Sequence, residues 1–169
     1  MIITLIARVA QLLIGAVVLA LSVVLINGYG PGHAPSLLDY GAFCGGAGLL
    51  IAAAGLGAIF LEPLQGIIIL ALDGIASFFL LAGAGAFVAE VKTGNCADPY
   101  YILAIWKVIR VSDMKDYNGD RKKAEDDIIG RCRMAQADTA FIWILFILFI
   151  VTIGLTFMSR SSKRGGALV

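Results

Sequence analysis

Residues 64–90 place the strongest constraint on what this chain can fold into. The stretch reads LQGIIILALDGIASFFLLAGAGAFVAE, with one charge, Asp73, well inside it. A run that long and that apolar predicts a membrane-spanning helix. Asp73 lies roughly ten residues in, at bilayer depth. A carboxyl there costs a few kcal/mol on insertion scales, so it must face protein or water and not lipid. Gly74 and Ser77 beside it, then Gly83 and Gly85, are small enough to let another helix approach. The stretch therefore requires neighbouring helices.

Three further apolar runs supply them. The 169 residues are 60% hydrophobic, well above a soluble domain of this size. Unbroken runs exclude a transmembrane barrel, whose strands would be short and alternating. The fold class is an all-α membrane protein, a four-helix transmembrane bundle with a long loop between helices 3 and 4. Spans are expected at about 9–26, 39–61, 64–90 and 139–158. A net charge of +1 gives no reason to expect a nucleic-acid partner. The first run is expected to stay as a signal anchor, since no cleavage site follows it. No prenylation or myristoylation signal is expected either.

Arg8 opens span 1 and is expected to snorkel to the headgroups. Asn27 to Gly32 ends it in a Gly/Pro loop that also holds His33, read as a solvated residue. Span 2 places Gly41, Gly45, Gly48, Ala52 and Gly55 on one side, a ridge of small residues. That ridge is read as a packing seam, within the bundle or between protomers. Cys44 on the same span reads as a small packing residue. Glu62-Pro63-Leu64 forms a tight link to span 3, with Glu62 as a helix cap. Phe141, Trp143, Phe146, Phe149 and Phe157 give span 4 bulk to fill grooves beside the glycine ridge. Asp138 is expected at that helix's N-terminus.

The hydrophilic segment at 92–133 holds nine of the thirteen Lys/Arg and seven of the twelve Asp/Glu. Cys96 and Cys132 bracket it, each near a span end. A disulfide would clip the loop at its base and require an oxidising face; two free thiols are the alternative. Metal binding is not expected, with no other Cys or His nearby. Within the loop, residues 100–111 combine two tyrosines and a tryptophan with Lys107 and Arg110. They read as a short amphipathic helix on the bilayer or over the bundle, with a strand as the alternative. Asp113 to Asp120 resembles a calcium loop but misplaces its glycine and lacks the closing glutamate. Asn118-Gly119 reads as a turn, and 121–127 as a solvated helical face. The tail at 159–169 is basic.

Charge alone leaves the orientation open. The positive-inside count puts the basic loop in the cytosol, whereas its cysteine pair suits the outside.

Arg8, Tyr40-x-x-Phe43, Phe60-Leu61-Glu62-Pro63-Leu64, Leu72-Asp73, Ala82-Gly83 and the string Arg131-Cys132-Arg133-Met134-Ala135-Gln136-Ala137 leading into Phe141 carry a resemblance. The chain resembles the fungal non-classical export protein family, of the four-span MARVEL type, over nearly its whole length. The long loop after span 3 departs from that pattern. The resemblance implies a four-span domain at 1–158 and plasma-membrane residence. It also implies cytoplasmic termini with tail 159–169, and an external loop at 92–133. Such proteins organise membrane microdomains with eisosomes and are associated with sphingolipid sensing and with export lacking a signal peptide. The partners implied are membrane lipids (sphingolipid or sterol), further copies of the chain and other microdomain proteins. No catalytic residue, cofactor or metal comes with the family.

The expected function is a self-associating membrane organiser with Asp73 as a buried polar anchor. The rival is a small transporter or channel with Asp73 as its ion or proton site. An enzyme is not expected, because no nucleophile–base pair or metal cluster lies in the spans.

Overall fold

The computed structural model describes residues 2–30, 32–58, 67–110 and 120–165, with side chains through Met158. Four long helices dominate: α1 (Ile2–Asn27), α2 (Ser36–Gly57), α3 (Ile67–Val91) and α6 (Arg121–Gly165), each long and apolar enough to cross a membrane. Two short helices, α4 (Pro99–Ala104) and α5 (Trp106–Ile109), lie between α3 and α6. Among the described residues there is no strand. The chain is an all-α, multi-pass membrane protein.

The bundle closes on one repeated spacing. Buried positions fall at Arg8, Gln11, Gly15, Val18, Ser22 and Leu25 on α1. They fall at Leu38, Gly41, Gly45, Gly48, Ala52 and Gly55 on α2. On α3 they are Ile69, Asp73, Ala76, Leu80, Gly83 and Phe87. On α6 they are Ala135, Asp138, Ile142, Leu145, Phe149 and Thr152. Every seam alternates steps of three and four, the spacing that packs helices in a left-handed bundle. The opposite faces carry exposed Leu13, Val24, Leu50, Phe78, Ile147 and Phe157. An apolar exterior around a partly polar seam suits lipid as solvent.

The glycine ridge of α2 serves the bundle itself. A Cβ on Gly45 would stand 2.5 Å from the backbone nitrogen of Leu19, so α1 and α2 meet backbone to backbone there. Gly41 faces Ser22 and Phe87, and Gly55 faces the Arg8 guanidinium. Gly48 alone of these faces α6, at Leu145 and Phe149. The aromatic side chains of α6 therefore do not fill the ridge as a set: α1 takes most of it, and Phe157 is exposed. Gly83 on α3 receives the Cys44 thiol and the Tyr40 ring. Gly74 differs, since no neighbour lies within 4 Å of where its Cβ would be.

Helix ends follow local chemistry. Pro35 precedes α2, and Asp39 lies in its first turn. Asp98 caps α4 by accepting from the Tyr100 amide at 3.0 Å, with Pro99 next in line. Asp120 caps α6 by accepting from the amides of Lys122 and Lys123. This places the start of α6 far ahead of 139. The charged run after Asp120 and the apolar span share one continuous helix, which also carries through the basic run to Gly165. The expected Glu62-Pro63-Leu64 link and the Asn118-Gly119 turn lie outside the described residues.

Residues 99–109 cover one end of the bundle, and the strand alternative is not adopted there. Ile105, Val108 and Ile109 are buried in the core cluster. The Tyr101 hydroxyl donates to the carbonyl oxygens of Val91 and Lys92 at 2.7 and 2.9 Å, and Gln136 of α6 donates to that hydroxyl at 2.9 Å. Tyr29 at the end of α1 donates to the Lys107 carbonyl. Cys96 and Cys132 form a disulfide, with Cα atoms 5.8 Å apart. The bond ties the chain just after α3 to the outer part of α6.

Candidate functional site

The helix seams carry polar side chains in two layers, one near each end. The first contains Asp73. The carboxylate is wholly buried on the second turn of α3, and α1 brings Arg8 to it from the seam opposite. Arg8 Nη1 donates to Asp73 Oδ1 at 2.7 Å and Nη2 to Oδ2 at 2.6 Å, the two-pronged match of a guanidinium to a carboxylate. Arg8 is only 1% exposed, which overturns the expectation that it snorkels to the headgroups. The physical reason is Asp73: a charge on the same layer repays desolvation that a headgroup contact would otherwise have avoided.

Neighbours complete this layer. Arg8 Nη1 also donates to Gln11 Oε1 at 3.0 Å, and Gln11 Nε2 donates to the Thr152 hydroxyl of α6 at 3.1 Å. Thr152 in turn donates to the Phe149 carbonyl. Gly55 leaves room for the guanidinium: a Cβ there would sit 2.5 Å from Arg8 Cζ. All four long helices thus meet at one charge-neutral cluster. Ser77, next to it, donates to the Asp73 carbonyl one turn back.

The second layer is Asp138 with Ser22, whose hydroxyl donates to Asp138 Oδ2 at 2.7 Å. Asp138 is fully buried and lies well inside α6. The expected role at a helix N-terminus does not apply, because Asp120 starts the helix and Asp138 instead joins α6 to α1. Among the described residues, Arg8 Nε and Asp138 Oδ1 are the buried side-chain atoms with no hydrogen-bond partner. Between the layers the seam is apolar, with Val18, Leu80, Ala84, Ile142, Leu145 and Phe149.

Cys44 is free and buried, with its thiol 3.7 Å from the Phe79 carbonyl. His33 is exposed in the loop after α1. No group of three or more His, Cys, Asp or Glu side chains suited to a metal occurs among the described residues. Sequence reading found Asp73 and the α2 ridge but missed Arg8, Gln11 and Thr152 as the rest of the Asp73 layer, and Asp138 as the partner of Ser22. The signal was present on α1. Arg8, Gln11 and Ser22 share the three-and-four spacing of Gly15 and Val18, so the polar residues lie on the packed face.

No curated protein and no solved structure matches the chain. One family model does, described as a membrane-associating domain, and it covers residues 1–155. With four membrane-spanning helices and that match over most of its length, this chain is a member of the MARVEL family.

Proposed function

We propose that this MARVEL-family chain is a self-associating organiser of plasma-membrane microdomains. Membership of a family described as membrane-associating supports a structural role. The carrying observation is the closed Arg8–Asp73 pair. The deep charges are spent on holding helices together, while the outward faces offer aliphatic and aromatic side chains to lipid. A molecule built this way acts laterally, through its outer surface.

The finer reading follows the resemblance. Both termini lie in the cytosol and the loop at 92–133 outside, where an oxidising medium preserves the Cys96–Cys132 bond. The chain associates with eisosome-type furrows and with sphingolipid- or sterol-rich membrane, and serves sphingolipid sensing or export of proteins lacking a signal peptide. A transporter or channel working through Asp73 would need that carboxylate to exchange with water, and a guanidinium bound to both its oxygens opposes this.

Reconstitution tests the reading. Proteoliposomes of sphingolipid, sterol and unsaturated phosphatidylcholine are cross-linked over a dilution series of protein in lipid. Oligomers that persist on dilution, and enrichment in one lipid phase, are expected. A strict monomer spread evenly over both phases refutes the organiser. A proton or cation flux that Asp73→Asn abolishes in the same vesicles would establish the transporter instead.

A further inference from the structure

The seam between α2 and α3 is closed midway, where Tyr40 and Cys44 pack on Gly83 and donate to the Phe79 carbonyl. Two cavities lie on it. One, of about 150 Å³, is lined almost wholly by apolar side chains, among them Phe43, Ile51, Ile75 and Phe79. The other, of about 640 Å³, lies nearer the loop end, between Leu37 and Tyr40 on α2 and Ala82 and Ala86 on α3. The second size lies within the range of small-molecule sites. This larger groove runs beside α3 from Ala82 to Glu90, about 12 Å at the helical rise.

The two cavities differ in chemistry. The smaller has Phe43 and Phe79 edge to face, with ring centroids 5.5 Å apart. The mouth of the larger is formed by Glu90, in the last turn of α3, and Lys107 on α5. Both side chains are exposed, and among the described residues neither makes an ion pair with the other or with anything else. One cation and one anion thus stand at the same mouth without neutralising each other. An apolar slot below a separated pair of opposite charges matches the layout of a zwitterionic lipid. Lys107 meets the phosphate, and Glu90 the terminal amine. Among the described residues this groove is lined by one aromatic ring, Tyr40, short of the cage that favours a quaternary ammonium. A primary ammonium, which donates hydrogen bonds to a carboxylate, is the better match.

We propose that the loop-end groove between α2 and α3 binds one phosphatidylethanolamine molecule, with the upper part of an acyl chain over Leu37, Ala82 and Ala86 and its headgroup between Lys107 and Glu90. The site rests on the reading of the chain as a bilayer-embedded organiser, for which it supplies a defined lipid contact.

The test uses the full chain in phosphatidylcholine vesicles doped with a phosphatidylethanolamine whose acyl chain carries a photoactivatable diazirine. Adducts are mapped by mass spectrometry. They are expected on residues 35–40 and 82–90, with competition by unlabelled phosphatidylethanolamine and not by added phosphatidylcholine. Lys107→Glu should lower groove labelling by about tenfold, as loss and reversal of one charge contact would. Glu90→Gln should remove the preference for ethanolamine over choline. Ala82→Trp should block the slot, with the intact Cys96–Cys132 bond and an unchanged thermal transition reporting the fold. Labelling spread evenly around the bundle, or unaffected by Lys107→Glu and Ala82→Trp, overturns the proposal. So does copper-catalysed cross-linking of Ala82→Cys between chains, which would make a second copy the occupant. Self-association is read in the same vesicles. Oligomers without groove labelling refute this site alone, whereas groove labelling on a strict monomer refutes the organiser alone.

Discussion

Arg8 and Asp73 meet at 2.6–2.7 Å with side chains 2% and 0% exposed, so neither charge has water as an alternative partner. Loss of one leaves the other buried and uncompensated, typically at a cost of about 3–5 kcal/mol. Asp73→Asn and Arg8→Met should therefore each sharply lower the thermal transition of the purified protein in mild detergent. Arg8→Met combined with Asp73→Leu should cost less than either alone, because the double change removes both unmet charges. If the double variant fell by the sum of the singles, the pair would not be a coupled unit. Gly55 extends the argument to a residue with no charge. A Cβ 2.5 Å from Arg8 Cζ forces the end of that flexible side chain to shift, so Gly55→Ala should destabilise, but by less than Asp73→Asn. Adding it to Asp73→Asn should cost little more, about 1 kcal/mol or less, since the geometry is already lost. The same unfolding measurement checks all of these variants.

At the level of the helix, close approach is local. Gly45 and Gly74 look alike in sequence, each a glycine in an apolar helix, yet only Gly45 has a neighbouring backbone at 2.5 Å. Gly45→Ala must push α1 off α2, and we expect clear destabilisation. Gly74→Ala meets open space and should be neutral or stabilising by about 0.5–1 kcal/mol, the gain in helix propensity. Equal losses at the two positions in a detergent unfolding series would contradict this packing. The contrast also marks what was legible beforehand. Length and hydropathy were enough for four helices, and helical spacing for the α2 ridge, because both are properties of one segment. The partner of Asp73 was not legible on the same terms. A charged residue near a helix start has two low-energy homes, the headgroups or a buried counter-charge, and only the distant α3 decides between them. Asp138 was misplaced for a related reason. Hydrophobicity places the helix start at the apolar run, whereas the Asp120 cap lets the helix start in the polar segment and continue without a break. The α3 glycine beside Asp73 follows suit: small size permits contact but does not supply a neighbour.

At the scale of the molecule, α6 is, among the described residues, the helix much longer than a bilayer is thick. Its 45 residues correspond to roughly 67 Å, against a hydrocarbon core of about 30 Å. The part before Ala135 is joined to the end of α3 by Cys96–Cys132 and buttressed by α5, with Ile105, Val108 and Ile109 buried beneath. The disulfide closes a loop with a sequence separation of 36. By chain entropy it should contribute about 3–4 kcal/mol, chiefly by restricting the unfolded chain. A bond of this kind persists on an oxidising face and is lost in the reducing cytosol, so its state reports the side of the membrane on which the loop lies. Charge gives no such answer, because the loop carries most of the basic residues and most of the acids together. Treating intact cells with a membrane-impermeant thiol reagent should therefore leave Cys96 and Cys132 unlabelled at first. An impermeant reductant should then open both to the reagent without permeabilisation. Buried Cys44 should stay unlabelled throughout as an internal reference. Labelling that needs permeabilisation but no reductant would place the loop in the cytosol with free thiols, and would invert the bundle across the membrane. The ethanolamine-binding mouth at Glu90 and Lys107 would move with it to the cytoplasmic leaflet, so this one measurement fixes the topology and the leaflet from which the groove draws its lipid.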